Sequence, residues 1–152
     1  MVGSVQTGNM LDNDVGHSPF CHIPSLIVWQ NEGWPGYVID QTYDTANGCI
    51  PFQPNVVLLH VGSNDMSQDI DVANAHTRLG RVIDKLFDSI PGVTVIASTV
   101  LPRFPDLYQQ RTNIYNANIP GMIQARQKAG RKLLLVDFSS SWWSNSDLHD
   151  DG

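Results

Sequence analysis

The sequence predicts an α/β domain organised on a parallel sheet, and three observations predict it. Residues 55–65, NVVLLHVGSND, open with a run in which five of the first seven residues are apolar, the composition of a strand buried on both faces. Two more runs of strand length follow, VTVIASTV at 93–100 and KLLLVDF at 132–138. Segments of helical period separate the three with short connections, which is the alternation of a right-handed parallel α/β sheet.

Taken in order, residues 2–5 are a short apolar alternation that reads as a strand, and turn formers at 8–14 surround Met10 and Leu11. Residues 15–30, VGHSPFCHIPSLIVWQ, keep neither period. The small-residue cluster NEGWPG at 31–36 precedes a short helix over 37–45. After the organising strand, Val72, Ala75, Leu79, Val82, Ile83, Leu86 and Phe87 recur at helical spacing with charged residues between them, and Pro91-Gly92 stops the helix. The next strand runs into Leu101-Pro102-Arg103 at the same end of the sheet. A second helical region spans about 109–129, with Pro120 and Gly121 expected to kink or restart it and Gly130 to cap it.

Composition bounds the function. With 152 residues and 41% hydrophobic content, the chain suits one domain with a buried core. A formal net charge of −6 and the lack of any Lys/Arg-rich run exclude a nucleic-acid surface of the usual basic kind. No apolar stretch approaches the roughly 20 residues that span a bilayer, and no signal-peptide pattern opens the sequence. Cys21 and Cys49 permit one disulfide but no all-cysteine zinc site, and the five histidines show no metal spacing. No cofactor is expected, because the glycine clusters match no phosphate-loop spacing and so disfavour a phosphate or flavin binder.

The chemistry is expected at Gly62, Ser63, Asn64 and Asp65. In open α/β sheets ligands bind beyond the carboxyl ends of strands, where this tetrapeptide falls. The same four residues are also common turn formers, so a plain turn is the other reading.

The order VGS, EGWPG, VVLLHVGSND, a long helix, VIASTVLP, IYNANIPG, LLLVDF and DLHDDG resembles the SGNH hydrolases, or GDSL-type esterases, and within them secreted carbohydrate esterases of the acetylxylan esterase kind. The resemblance covers nearly all of the chain outside 15–30. It implies a flavodoxin-like three-layer sandwich in one domain, metal-independent ester hydrolysis through an acyl-enzyme, a small-molecule or polysaccharide ester substrate, and an extracellular location. In such enzymes a serine attacks the ester carbonyl, a histidine held by an aspartate takes its proton, and hydrogen-bond donors hold the oxyanion. By motif, Asn64 is the side-chain donor and Gly36 the backbone donor, with Gly33 its rival. Gly62 and Asp65 support the turn, and Asp151 orients the histidine.

The chain departs from that pattern at its reactive groups. No Gly-Asp-Ser occurs in the 152 residues, and the sequence that resembles the Asp-x-x-His block stops at Asp151-Gly152. The resemblance therefore implies a domain incomplete at both ends and inactive as it stands. His149 precedes Asp151 instead of following it and is the alternative base. Ser4 and Ser63 are the nearest substitute nucleophiles and read better as turn residues, while His60 reads as a packed core histidine. Excising 15–30 rejoins a short polar link, and its Val and Gln ends permit splice codons, so a read-through intron and an ordinary surface insertion both remain readings. Loss of a central first strand would leave inner sheet edges unpaired, predicting poor stability. A non-catalytic carbohydrate binder is the alternative function, with Trp34, Trp142 and Trp143 offering stacking faces.

Overall fold

A computed structural model of the chain describes residues 34–102 and 106–139. In chain order these form α1 (Ile39–Thr45), β1 (Val56–Leu59), α2 (Ser63–Gln68), α3 (Ala75–Ser89), β2 (Thr94–Ser98), α4 (Asp106–Lys128) and β3 (Leu133–Val136). Single 3-10 turns lie at Ala46–Gly48, Ile50–Phe52 and Val72–Asn74. The strands are parallel in the order β1-β2-β3, with Val57 beside Val95 and Val95 beside Leu133. The expected α/β architecture, a parallel three-stranded sheet flanked by helices, is present.

Each right-handed crossover advances one strand in the same direction, so α3 and α4 lie together on one face of the sheet. The apolar stripe of α3 delivers Leu79, Val82, Ile83 and Leu86 to the core, all 2% exposed or less. Tyr115, Ile119 and Ile123 do the same from α4, and Val95, Ala97 and Leu133 meet them from the sheet. Burial of each large apolar side chain is worth about 2 kcal/mol relative to exposure. The two helices are also fastened by a bidentate ion pair, with Arg126 Nε and Nη2 donating to Asp84 at 2.8 and 2.6 Å. That guanidinium lies where a Cβ on Gly80 would stand, 2.5 Å away, which accounts for a glycine inside α3.

Two expectations need correction. The organising strand is not buried on both faces: Val56 and Leu58 are 44% and 54% exposed, while Val57 and Leu59 are partly buried. Among the described residues β1 pairs only with β2, and no helix covers the face bearing Val56, Leu58, Leu134 and Val136. Of the kink or restart expected at Pro120-Gly121, the restart does not occur. Helix α4 continues through it, with Ile119 and Ile123 buried on either side holding the segment against the sheet. The strand expected at 2–5 lies outside the described residues; among those described the remaining boundaries fall within three residues of expectation, and Gly130 closes α4 at φ +82°.

Helix α2 was not expected. It starts because Gly62 adopts φ +117°, turning the chain abruptly from β1 into a helical turn. A Cβ on Gly62 would lie 2.6 Å from the Tyr115 ring, so two independent penalties fall on any substitution. Gly62→Ala is expected to destabilise the fold by about 2–5 kcal/mol, strain and overpacking together. Gly92→Ala carries the strain alone, at φ +79° with open space around it, and should cost about 1–2 kcal/mol. Urea denaturation of both variants measures the difference.

Candidate active site

The site gathers where β1 gives way to α2 and where the chain enters α1. Asn64 is the second residue of α2, and its Nδ2 donates to the Tyr37 carbonyl at 2.8 Å. Gly36 immediately precedes Tyr37, in a turn closed by Tyr37 N–H donating to the Trp34 carbonyl at 3.2 Å. Its φ of +81° and exposed position suit a backbone that a ligand approaches closely. The side-chain and backbone donors expected from the sequence are therefore tied together, through one peptide unit. An Asn amide has two N–H donors, and the bond to Tyr37 occupies one of them.

The supports beneath this pair come from every helix. Asp65 is fully buried and accepts from Ile39 N–H, the first residue of α1, at 3.0 Å. Its other oxygen accepts from Arg78 Nη1 of α3 at 2.6 Å. Burial raises the Asp65 pKa, and the Arg78 and Ile39 donors pull it back. Gln41 Oε1 accepts from Val38 N–H at 3.0 Å, so two orphan amides at the start of α1 are satisfied by side chains. From α4, Tyr115 sits under Gly62 and donates its hydroxyl proton to the Val61 carbonyl at 3.0 Å. Burial pushes the Tyr115 phenol far up, so it remains a neutral donor. Arg111 caps the far end of α2 by donating to the Met66 carbonyl at 3.1 Å and pairing with Asp69 at 2.9 Å.

The neighbouring strand end is equally ordered. Asn116 brackets Val100, accepting from its N–H at 2.9 Å and donating to its carbonyl at 2.8 Å. Thr99 Oγ1 donates to Asp137 at 3.0 Å and accepts from Phe138 N–H at 2.7 Å. The Ser139 hydroxyl and Thr99 hold the Asp137 carboxyl below its usual range. His60 lies one residue past β1 and is not a core residue: its Nδ1 is 2.7 Å from Ser98 Oγ and its ring meets Phe138 edge-on at 5.8 Å. A cavity of about 630 Å³ runs along β1, lined by Trp34, Tyr37, His60, Gly62, Asn64 and Phe138 among others.

Of the residues singled out in the sequence, Gly36, Gly62, Asn64 and Asp65 come together here. Ser63 opens α2 beside them without a base in contact among the described residues. Asp151, His149, Ser4, Gly33, Cys21, Trp142, Trp143 and residues 15–30 lie outside the described residues. Trp34 stacks on Tyr37 at 5.2 Å rather than standing alone, and Cys49 is buried with its thiol donating to the Ala46 carbonyl. Sequence reasoning missed Arg78, Tyr115, Asn116 and Arg111. Among the described residues no cluster of His, Cys, Asp and Glu is arranged to hold a metal, and no helix is long and apolar enough to cross a membrane.

The Asn64 amide and the Gly36 turn are held together beyond the carboxyl edge of a parallel α/β sheet, where ligands bind in such folds. The chain belongs to the GDSL-like lipase/acylhydrolase family, whose model matches residues 18–152. It is 37% identical over 100 residues to a protein of Acetivibrio thermocellus called "Putative endoglucanase X", a match spanning 65% of this chain and 42% of that one. It is similar to the structure of a Clostridium thermocellum family 3 carbohydrate esterase, with 29% identity and a TM-score of 0.70 over 95% of this chain and 62% of that chain. A family 3 carbohydrate esterase from Talaromyces cellulolyticus shares the fold at 21% identity and a TM-score of 0.76, over 99% and 70% of the two chains. The chain thus spans less than two thirds of the curated relative and of the clostridial esterase it matches.

His60 supplies a test of the site's electrostatics. His60 keeps an exposed edge, but partial desolvation beside Ser98 and Phe138 lowers its pKa from 6.5, so the folded state favours the neutral ring. The associated stability is whole above pH 6.5 and is lost as pH falls through the depressed pKa. A proton NMR titration should place the His60 midpoint below 6.5. Thermal unfolding should show a steeper acid loss for the native protein than for His60→Gln.

Proposed function

We propose that this chain carries the oxyanion-binding half of a carbohydrate ester hydrolase that removes acetyl groups from a polysaccharide. The observation that carries the reading is the bond between Asn64 Nδ2 and the Tyr37 carbonyl, which joins the two donor segments at the carboxyl edge of the sheet. When an ester carbonyl is attacked, negative charge develops on its oxygen, and the donors that matter are those already aimed there. Asn64 offers its second amide proton and Gly36 its backbone N–H, both beside a segment tied down by the Asn64, Asp65 and Gln41 hydrogen bonds. Membership of the acylhydrolase family and the likeness to the clostridial carbohydrate esterase support the substrate class.

In this reading the nucleophilic serine is not supplied by a Gly-Asp-Ser turn of these 152 residues, since none occurs within them. The cavity along β1 is the place for the strand that bears the nucleophile, and Asp151 orients the histidine. The reaction needs no metal: serine adds to the carbonyl carbon as histidine takes its proton, and the alcohol leaves with that proton. Water then releases acetate from the acyl-enzyme.

A serine-directed fluorophosphonate probe tests this directly. The 152-residue chain is expected to remain unlabelled and to hydrolyse aryl acetates no faster than buffer. The protein translated from the complete spliced transcript is expected to be labelled and to release acetate from acetylated xylan. Labelling of the 152-residue chain would show that its own serines suffice and would refute the division proposed. In the labelled protein, Asn64→Ala should lower kcat by roughly 10²–10³-fold, with little change in KM.

A further inference from the structure

The helix α3 residue Arg78 has no place in the reaction as read above, yet its side chain is only 9% exposed and is committed to the site's foundations. Its Nη1 donates to Asp65 at 2.6 Å, and its Nη2 donates to the Ile70 carbonyl at 2.5 Å and reaches the Asp71 carbonyl at 3.4 Å. Asp40, half exposed at the edge of α1, lies 3.4 Å from Nη1. One guanidinium therefore spans the turn after α2, the carboxylate within α2 and the first turn of α1. A planar fork with five donors can do this, whereas an ammonium cannot reproduce the geometry.

We propose that Arg78 is a positioning residue for the oxyanion site, acting through Asp65. The inference rests on the reading of Asn64 and Gly36 as oxyanion donors. Asp65 accepts from Ile39 N–H, which is three residues after Gly36, while its chain neighbour Asn64 donates to the carbonyl of Tyr37. Adjacent side chains of α2 thus grip the 36–39 segment at two points, and Arg78 holds the carboxylate that makes one of them. Without Arg78 a fully buried carboxylate would lose its counter-ion. It would then take up a proton or turn toward water, and either change alters the acceptor offered to Ile39. Of the two side-chain bonds from α2 to the 36–39 segment, only the one from Asn64 would remain. Small displacements of groups aligned with a transition state cost rate more than binding.

The test uses Arg78→Met in the full-length protein, with Arg126→Met as the control, since Arg126 fastens α3 to α4 away from the site. Steady-state hydrolysis of an aryl acetate and hydrogen exchange at the Ile39 amide are both read. Arg78→Met is expected to lower kcat by about 10–100-fold with KM within about threefold, and to speed exchange at Ile39. Arg126→Met should lower the melting temperature while leaving kcat and Ile39 exchange as in the native protein. The proposal is overturned if Arg78→Met leaves either kcat or Ile39 exchange at the native value, or if Arg126→Met reproduces both losses. Should Arg78→Met fail to fold, Arg78→Lys decides by the same two readouts, because it keeps a cation near Asp65 but gives up the fork. Asn64→Ala separates the underlying reading: an unchanged kcat there refutes the oxyanion assignment, whereas Ile39 exchange judges the Arg78 tether by itself.

Discussion

A carboxylate sealed from water is expensive unless charge and hydrogen bonds surround it, and Asp65 is the node at which this molecule accepts that cost. Its two oxygens face a guanidinium and a helix-initiating amide. Each of those partners belongs to a different element, so the pair does more than cancel charge. It fixes where α1 begins relative to α2 and where both lie on α3. An apolar residue of similar size would pack there, but it would leave the Ile39 amide without its acceptor and the Arg78 guanidinium without its buried counter-ion. The fold's arrangement at the carboxyl edge of the sheet follows from satisfying these groups together.

Helix α4 contributes the second layer of constraint. Tyr115 and Asn116 are consecutive and point at different strand ends, the first under Gly62 and the second around Val100. One turn earlier, Arg111 closes the carboxyl end of α2. A helix packed on the sheet through Ile119 and Ile123 is a rigid platform, so loops pinned to it inherit its rigidity. The close contact between the Tyr115 ring and Gly62 also explains why glycine stands there: the strand end must come down onto the ring and turn at φ +117° in one step.

The sequence made the periodic elements legible because their burial is periodic. Helix α3 shows its apolar stripe every third or fourth residue, and β2 is bounded by Pro91-Gly92 and Leu101-Pro102. Asn64 and Gly36 were legible only through motif order, since in isolation each reads as a turn former. What stayed hidden were residues whose role depends on contacts across the chain. Arg78 looks like one more charged residue on the polar side of an amphipathic helix, and nothing local says that its partner is thirteen positions back. Tyr115 and Asn116 sit within a helix of mixed polarity, where only the register of α4 on the sheet reveals their direction. The strand at 55–61 was misjudged for a related reason: apolar content says that burial is favourable but not which neighbours supply it.

The side chains that support Asn64 and Gly36 come from all four helices, Gln41 from α1, Asp65 from α2, Arg78 from α3 and Tyr115 and Arg111 from α4. The side chains of Val56 and Leu58 are exposed, and none of the bonds that hold Asn64 and the Gly36 turn involves them. The bonds that hold Asn64 and the Gly36 turn are therefore made to helices rather than to the exposed side chains of β1, although Tyr37, Gly62 and Asn64 also line the cavity beside that strand. Such a division has a mechanistic logic, because an oxyanion site works by not moving when the nucleophile attacks. If the donors were hung from the same strand as the reacting serine, any shift of that strand during acylation would carry them along. In the proposed reading, anchorage on Asp65, Arg78 and Tyr115 instead is what would keep them in place while charge forms in front of them.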